Sequence, residues 1–326
     1  MTSGICPLCL RNENLQNSHI IPNAVFRKVK HKQGSGQLIH IDDSHDTYIK
    51  HSQDSWSEYL LCASCEQIIS AYERYGIGLL RSGVTRKSGA RTRHIELGSH
   101  EFARFKLFLT SILWRAAMSR QPQFAKVQLP VDLAEKARLS ILNARALRPL
   151  MLGRKLWRLT DTKGSHDSGF SDESLTSLIV SPIPRLHDKR AFYTMLFVFE
   201  GYLFEFFVKS VPFREANSLG VHRDAPTLFV PYRCIFSVPE LVQIMVAGYG
   251  KHDRGMVSLK KKRDLESSDV SRFDIFTRAH RASVFLYFWL GFDTITSLVS
   301  LPVSTCHSIG ATSGLSSTRR CDSSSR

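Results

Sequence analysis

The sequence predicts an α+β chain: an N-terminal zinc-binding module, then a mixed α/β region, then a disordered C-terminal tail. Three observations carry this. Two C-x-x-C pairs, Cys6/Cys9 and Cys62/Cys65, flank a short run of strand-like and helix-like segments. Helical periodicity over 99–115 and 130–144 gives way to long apolar, β-prone runs between 150 and 250. The last stretch, "TCHSIGATSGLSSTRRCDSSSR", is serine-rich and of low complexity, so it should not pack. The corresponding divisions are 1–80 for the zinc module, 81–97 for a basic linker, 98–265 for the mixed α/β domain and 266–326 for the remainder.

In the first zone, "PNAVFRKVKHKQGSG" reads as a short helix ending in a glycine-rich turn, and "QLIHIDD" and "DTYIKHS" read as two short strands. "EQIISAYERYG" is helical, with Ile68, Ile69 and Tyr72 on one face and Gly76 as its expected stop. The segment 81–97, "RSGVTRKSGARTRHIEL", is small, polar and basic, and is expected to be an exposed loop able to contact phosphates. Ser99 is the expected N-cap of a helix whose apolar face is Phe102, Phe105, Leu109, Ile112 and Leu113. Pro130 precedes a second amphipathic helix.

"AFYTMLFVFEGYLFEFFVKS" (191–210) predicts a β-hairpin turning at Glu200-Gly201, and "TSLIVSPI" and "PTLFVPYRCIF" supply further strands. Their nearly continuous apolarity predicts a sheet covered on both faces. "SVPELVQIMVAGYG" should begin a helix with Ser237 as N-cap and Glu240 completing a capping box. "ASVFLYFWLGFDTITSLVSLPVS" (282–304) is about as long as a membrane span. Asp293 in its interior disfavours one, because a carboxylate in lipid is costly.

Composition narrows the partners. Lys and Arg outnumber Asp and Glu 44 to 29, for a formal net charge of +15, so polyanions concentrate at the surface and DNA or RNA is the expected partner. The seven cysteines lack the dense, even spacing of a secreted disulfide scaffold, and "MTSGIC" has neither a basic region nor an apolar core. Both point to the cytoplasm, where thiols stay reduced and paired cysteines bind metal. Four thiolates suit a tetrahedral structural zinc ion, so Cys6, Cys9, Cys62 and Cys65 are the expected ligands. A redox C-x-x-C is the alternative, although neither pair lies in a βαβ context.

The order C-x-x-C, then His19 in "NSHIIP", then "LLC-x-x-C" opening a helix resembles the HNH endonuclease family over about residues 5–76. The resemblance implies a ββα-metal fold with structural zinc on the two cysteine pairs. It implies His19 as the general base that activates water against a phosphodiester, beside a divalent Mg²⁺ or Mn²⁺ ion. The family's ligand before the base is Ser18 here, its middle asparagine is Ser57, and its last histidine is Glu66. Glutamate binds Mg²⁺ or Mn²⁺, so Glu66 is the candidate replacement ligand. Glu73, two turns on, could face the same side. The alternative is a catalytically inactive zinc module that binds nucleic acid or protein.

Overall fold

A computed structural model describes residues 2–32, 38–40, 49–88, 92–98, 101–161, 170–187, 192–208, 212, 216–222 and 227–258. The apolar segment 282–304, the basic run 260–263, the serine-rich tail and Ser99 lie outside the described residues.

The chain opens with β1 (Thr2–Ile5), β2 (Asn12–His19) and α1 (Asn23–Lys32). Short strands β3 (Leu38–His40) and β4 (Ile49–Ser52) follow, and then β5 (Ser57–Cys62) runs directly into α2 (Ala63–Arg81). β2 lies between β1 and β5 and is antiparallel to both. The result is a strand pair followed by a helix that packs back across it.

Next come β6 (Val84–Ser88), β7 (Thr92–Leu97), α3 (Phe102–Met118), α4 (Val131–Leu142), β8 (Gly153–Thr160) and α5 (Asp172–Ser177). The described chain ends with β9 (Val180–His187), β10 (Phe192–Phe199), β11 (Tyr202–Phe207), β12 (Leu228–Cys234), α6 (Pro239–Asp253) and β13 (Val257–Ser258). Seven strands form one sheet in the order β6-β7-β12-β8-β11-β10-β9. Its neighbours are antiparallel except β8 and β12. β3, β4 and β13 form a small separate sheet.

The mixed α+β class is as expected, and so are both faces of the large sheet. Met195, Phe197 and Phe199 of β10 join a core with α2, α3 and α4. The alternating Leu196 and Val198 join a second core with Leu175 of α5 and Leu241 of α6. Period-two alternation between two apolar environments is why these strands read as unbroken apolar runs. The first core also contains Cys6, Cys62, Cys65 and Ile69, so apolar packing is continuous from the cysteine-bearing strands to the sheet.

Glu200 and Gly201 turn the β10–β11 hairpin, as read from sequence, with φ of +52° and +75°. Two successive left-handed residues match the right-handed twist of the flanking strands. Glu200 also does something its position did not announce. Its carboxylate, 3% exposed, accepts from Lys28 Nζ of α1 at 2.5 Å and from Arg81 Nη2 at the end of α2 at 2.5 Å. The hairpin turn is thereby locked to two helices of the N-terminal module.

Several local expectations are corrected. The segment expected to be a basic loop forms β6 and β7 at one edge of the sheet, because Ile95 and Leu97 are buried there. Gly76 does not stop α2. It is buried inside the helix, and a Cβ at this position would overlap the Phe108 ring of α3. α3 begins at Phe102 with Glu101 at its N-cap and no side-chain cap. It is not amphipathic, since every residue from Phe105 to Ala116 is buried. Val238 rather than Ser237 caps α6, and Glu240 pairs with Arg185 of β9 at 2.6 and 2.8 Å instead of closing a capping box. β8 was not foreseen, since its Arg154, Lys155 and Arg158 break the apolar pattern.

Two outcomes follow for stability, both readable by denaturant unfolding. Gly76→Ala would stabilise an ordinary helix interior by up to about 1 kcal/mol. Here it should destabilise by roughly 1–3 kcal/mol, because the added methyl overpacks against Phe108. Glu200→Gln should cost about 2 kcal/mol. That is below the range for breaking a fully buried pair, because the partner side chains are 26% and 40% exposed and keep part of their hydration.

Candidate metal centre and candidate catalytic histidine

Local backbone chemistry brings the four cysteines together. After β1 the chain makes a tight turn in which Leu10 N–H donates to Cys6 O at 2.8 Å and Cys6 N–H donates to Arg11 O at 2.9 Å. Leu10 closes the turn in the left-handed region, φ +63°. Cys62 ends β5 and is the N-cap residue of α2, with Cys65 in the helix's first turn. Cys62 N–H donates to Cys6 Sγ at 3.4 Å, which joins the two turns. Arg138 of α4 donates to Leu8 O at 2.7 Å and braces the first turn from outside.

The four Sγ atoms all lie within 4.8 Å of one another, and Cys9 and Cys62 are 3.8 Å apart. That is far from a disulfide, which needs about 2.05 Å. It matches the edge of a zinc–thiolate tetrahedron, about 3.8 Å for Zn–S bonds of about 2.3 Å.

The electrostatics agree with the geometry. Burial alone would push the Cys62 thiol up. The Ser64 hydroxyl at 3.2 Å and the Cys65 backbone N–H outweigh it and bring Cys62 down to about 7. Cys65 is pushed up by burial and by the sulfurs around it, and Cys9 is raised chiefly by burial. One thiolate forms readily, and each further negative charge is opposed by the last. A cation removes the opposition, and the N-terminus of α2 adds partial positive charge. The cluster can bind a zinc ion. Among the described residues it is the one group of three or more His, Cys, Asp or Glu donors drawn together in this way.

His19 is the last residue of β2 and is half-buried. Its Nε2 lies 3.1 Å from Ser55 Oγ, and Nδ1 has no hydrogen-bond partner among the described residues. Ser55 reaches it because the next residue, Trp56, adopts φ +53° and bends the chain into β5. Asp54 Oδ1 accepts Trp56 N–H at 2.8 Å to hold that bend, and Trp56 O accepts Ile20 N–H at 3.0 Å. The backbone carbonyl of His19 accepts from Arg115 Nη1 at 2.5 Å. Burial, then the charges of Arg115, Lys30 and Arg27, lower the imidazole below its ordinary 6.5, with Asp54 opposing. The ring is therefore neutral at neutral pH, the form that can accept a proton.

The neighbouring expected positions have separate fates. Ser18 is fully buried, and its Oγ accepts Leu61 N–H at 3.1 Å and donates to Gln16 O at 3.3 Å. This is where the β2–β5 register slips, from Gln16 opposite Leu61 to Asn17 opposite Tyr59. Ser18 repairs a gap in the ladder and is not a metal ligand. Ser57 stands directly across from His19, but its carbonyl accepts from Gln121 Nε2 at 2.6 Å, and the residue touching the imidazole is Ser55.

Glu66 lies in the first turn of α2, and its Oε1 is buried with no hydrogen-bond partner among the described residues. A buried carboxylate oxygen without a donor is unusual and suits a cation. No hydrogen bond joins His19 to Glu66 among the described residues. Glu73 accepts from Arg115 Nη2 at 2.5 Å, which commits that carboxylate to the guanidinium.

Ser55 and Arg115 were missed as neighbours of His19. Ser55 carries no motif, and Arg115 follows an apolar face 96 residues downstream. No family model matches the chain, and no curated protein or solved structure matches it.

Four measurements check the site. Metal analysis should find one zinc per chain, and Cys62→Ser should lower both zinc content and melting temperature. Zinc affinity should fall as pH falls, since thiolates must be formed. Ser18→Ala should cost about 1–3 kcal/mol in denaturant unfolding, because Leu61 N–H is left buried and unpaired. His19 is depressed in the folded chain, so the unfolded chain binds its proton first. Stability should decline as pH drops through about 6.5 toward the lower folded value, and His19→Gln should remove that component.

Proposed function

We propose that this chain is a metal-dependent endonuclease of the HNH type that hydrolyses phosphodiester bonds in DNA or RNA. The observation that carries the reading is His19, held as a neutral, half-exposed imidazole. It sits at the end of a strand paired with the strand that leads into the cysteine-capped helix. In the tautomer whose Nε2–H donates to Ser55 Oγ, Nδ1 keeps its lone pair and can take a proton from water attacking a phosphorus.

The surroundings favour a phosphate. α1 begins four residues after His19 and carries Arg27, Lys30 and His31 with no acidic residue, besides Lys28 and Lys32, which pair with Glu200 and Glu173. Arg27 is exposed, and Arg27 and Lys30 are near enough to act on the imidazole. Their charges attract the backbone of a nucleic acid without regard to its sequence. Glu66 is the candidate ligand for Mg²⁺ or Mn²⁺, and such an ion would stabilise charge on the leaving oxygen. Zinc on the four cysteines has a structural role, because four thiolates leave no open position for substrate.

The second reading is an inactive zinc module that binds nucleic acid or protein. Ser18, committed to the backbone in the place of a ligand, favours it. No described helix is long and apolar enough to cross a membrane.

Incubating the zinc-loaded protein with plasmid and Mg²⁺ or Mn²⁺ should give nicked and linear products, and His19→Ala should lower the rate by about 10²–10⁴-fold. The rate should be level above pH 6.5 and fall at lower pH as His19 is protonated. Salt-dependent DNA binding with no cleavage in either metal would establish the inactive module instead. Cleavage that survives His19→Ala would remove this histidine from the mechanism.

A further inference from the structure

We infer that Arg115, supplied by α3 from outside the cysteine-bearing segment, is a positioning residue for His19, with Glu73 orienting its guanidinium. This deepens the nuclease reading and rests on it.

Arg115 is a cation in an apolar place. It is 1% exposed, on a helix whose residues 105–116 are all buried. A buried guanidinium is weak evidence for stability, since an apolar side chain of similar volume often serves as well. Its bonds indicate another use. Nε donates to Ser111 O at 3.3 Å on its own helix, Nη2 donates to Glu73 Oε1 at 2.5 Å on α2, and Nη1 donates to His19 O at 2.5 Å. A planar guanidinium held at two of its nitrogens has a fixed direction at the third. The third points at the peptide that carries the candidate base.

His19 is the end of β2, where the strand gives way to Ile20, Ile21 and Pro22. Its position is set from three sides. Arg115 holds its carbonyl, Trp56 O holds the following N–H, and Ser55 Oγ meets its ring. Two of these come from the loop before β5, inside the segment that resembles the nuclease module. The third comes from α3, so the segment before residue 98 does not by itself complete the surroundings of His19. The other charged groups facing His19 are Lys30 and Arg27 from α1 and Asp54 from the loop before β5. Arg27 is exposed and Arg115 is not, which separates a phosphate-facing role from a positioning one.

The test compares full-length zinc-loaded protein with Arg115→Met, Arg115→Lys and Glu73→Gln. Zinc content and thermal unfolding report the fold, plasmid cleavage with Mn²⁺ gives kcat and KM, and NMR of the labelled histidine follows the His19 ring. Arg115→Met should lower kcat roughly tenfold to a hundredfold with KM changed by less than about twofold, the signature of misplaced catalytic geometry. Its His19 ring signals should move, Arg115→Lys should recover part of kcat, and Glu73→Gln should reproduce a weaker form of the loss. A folded, zinc-loaded Arg115→Met with wild-type kcat and unmoved His19 signals would overturn the inference. If Arg115→Met does not fold, Glu73→Gln decides by the same readouts. If wild-type protein cleaves nothing, the nuclease reading fails by itself, and the NMR comparison still decides whether Arg115 positions His19.

Discussion

Four sulfur atoms within 4.8 Å of one another set the terms for the rest of the molecule. Thiols this close cannot all ionise unaided, and left neutral they are a poor reason to bring together Cys9 and Cys62, 53 positions apart in the chain. A divalent cation changes that balance, because its attraction for four thiolates contributes folding free energy directly. β5 ends at Cys62, the N-cap residue of α2, and α2 packs back against β2 and β5. The course of α2 places Gly76 against Phe108, and this contact seats α3 in the core.

The cysteine-bearing strands and the large sheet are joined by charge as well as by apolar packing. Arg115 bonds to α2 and to the end of β2 from α3. Glu200, at the turn of a sheet hairpin, holds α1 and α2 through Lys28 and Arg81. Each is a charged group under apolar cover with its partners in place, and removing one partner would leave the other poorly solvated. Such contacts define one arrangement of the elements more sharply than apolar surfaces do, because a carboxylate or guanidinium tolerates little displacement of its partners.

The candidate site inherits its electrostatics from the same contacts. Burial, and after it the charges of Arg115, Lys30 and Arg27, hold the His19 imidazole below its ordinary range, with Asp54 opposing. Glu66 sits apart, in the first turn of α2, with a buried oxygen that no described side chain satisfies.

The sequence by itself determined what depends on neighbours along the chain. The two C-x-x-C turns, the α1 and α4 helices, the Glu200-Gly201 hairpin and the two-sided burial of β10 and β11 follow from spacing, turn chemistry and period, which act within a few residues. Tertiary structure decided what depends on distant groups meeting. Gly76 looked like a helix stop until Phe108 needed the space. Residues 81–97 looked like a loop until β12 offered β7 a partner, and Glu240 looked like a cap until Arg185 claimed it. Ser18 looked like a missing ligand and is the patch in a shifted β-ladder. His19 was visible from its motif, but the groups that hold it, Ser55 and Arg115, lie 36 and 96 residues away. A hydrogen bond of that reach leaves no periodic trace in sequence, because it fixes the identity of two positions and not a pattern.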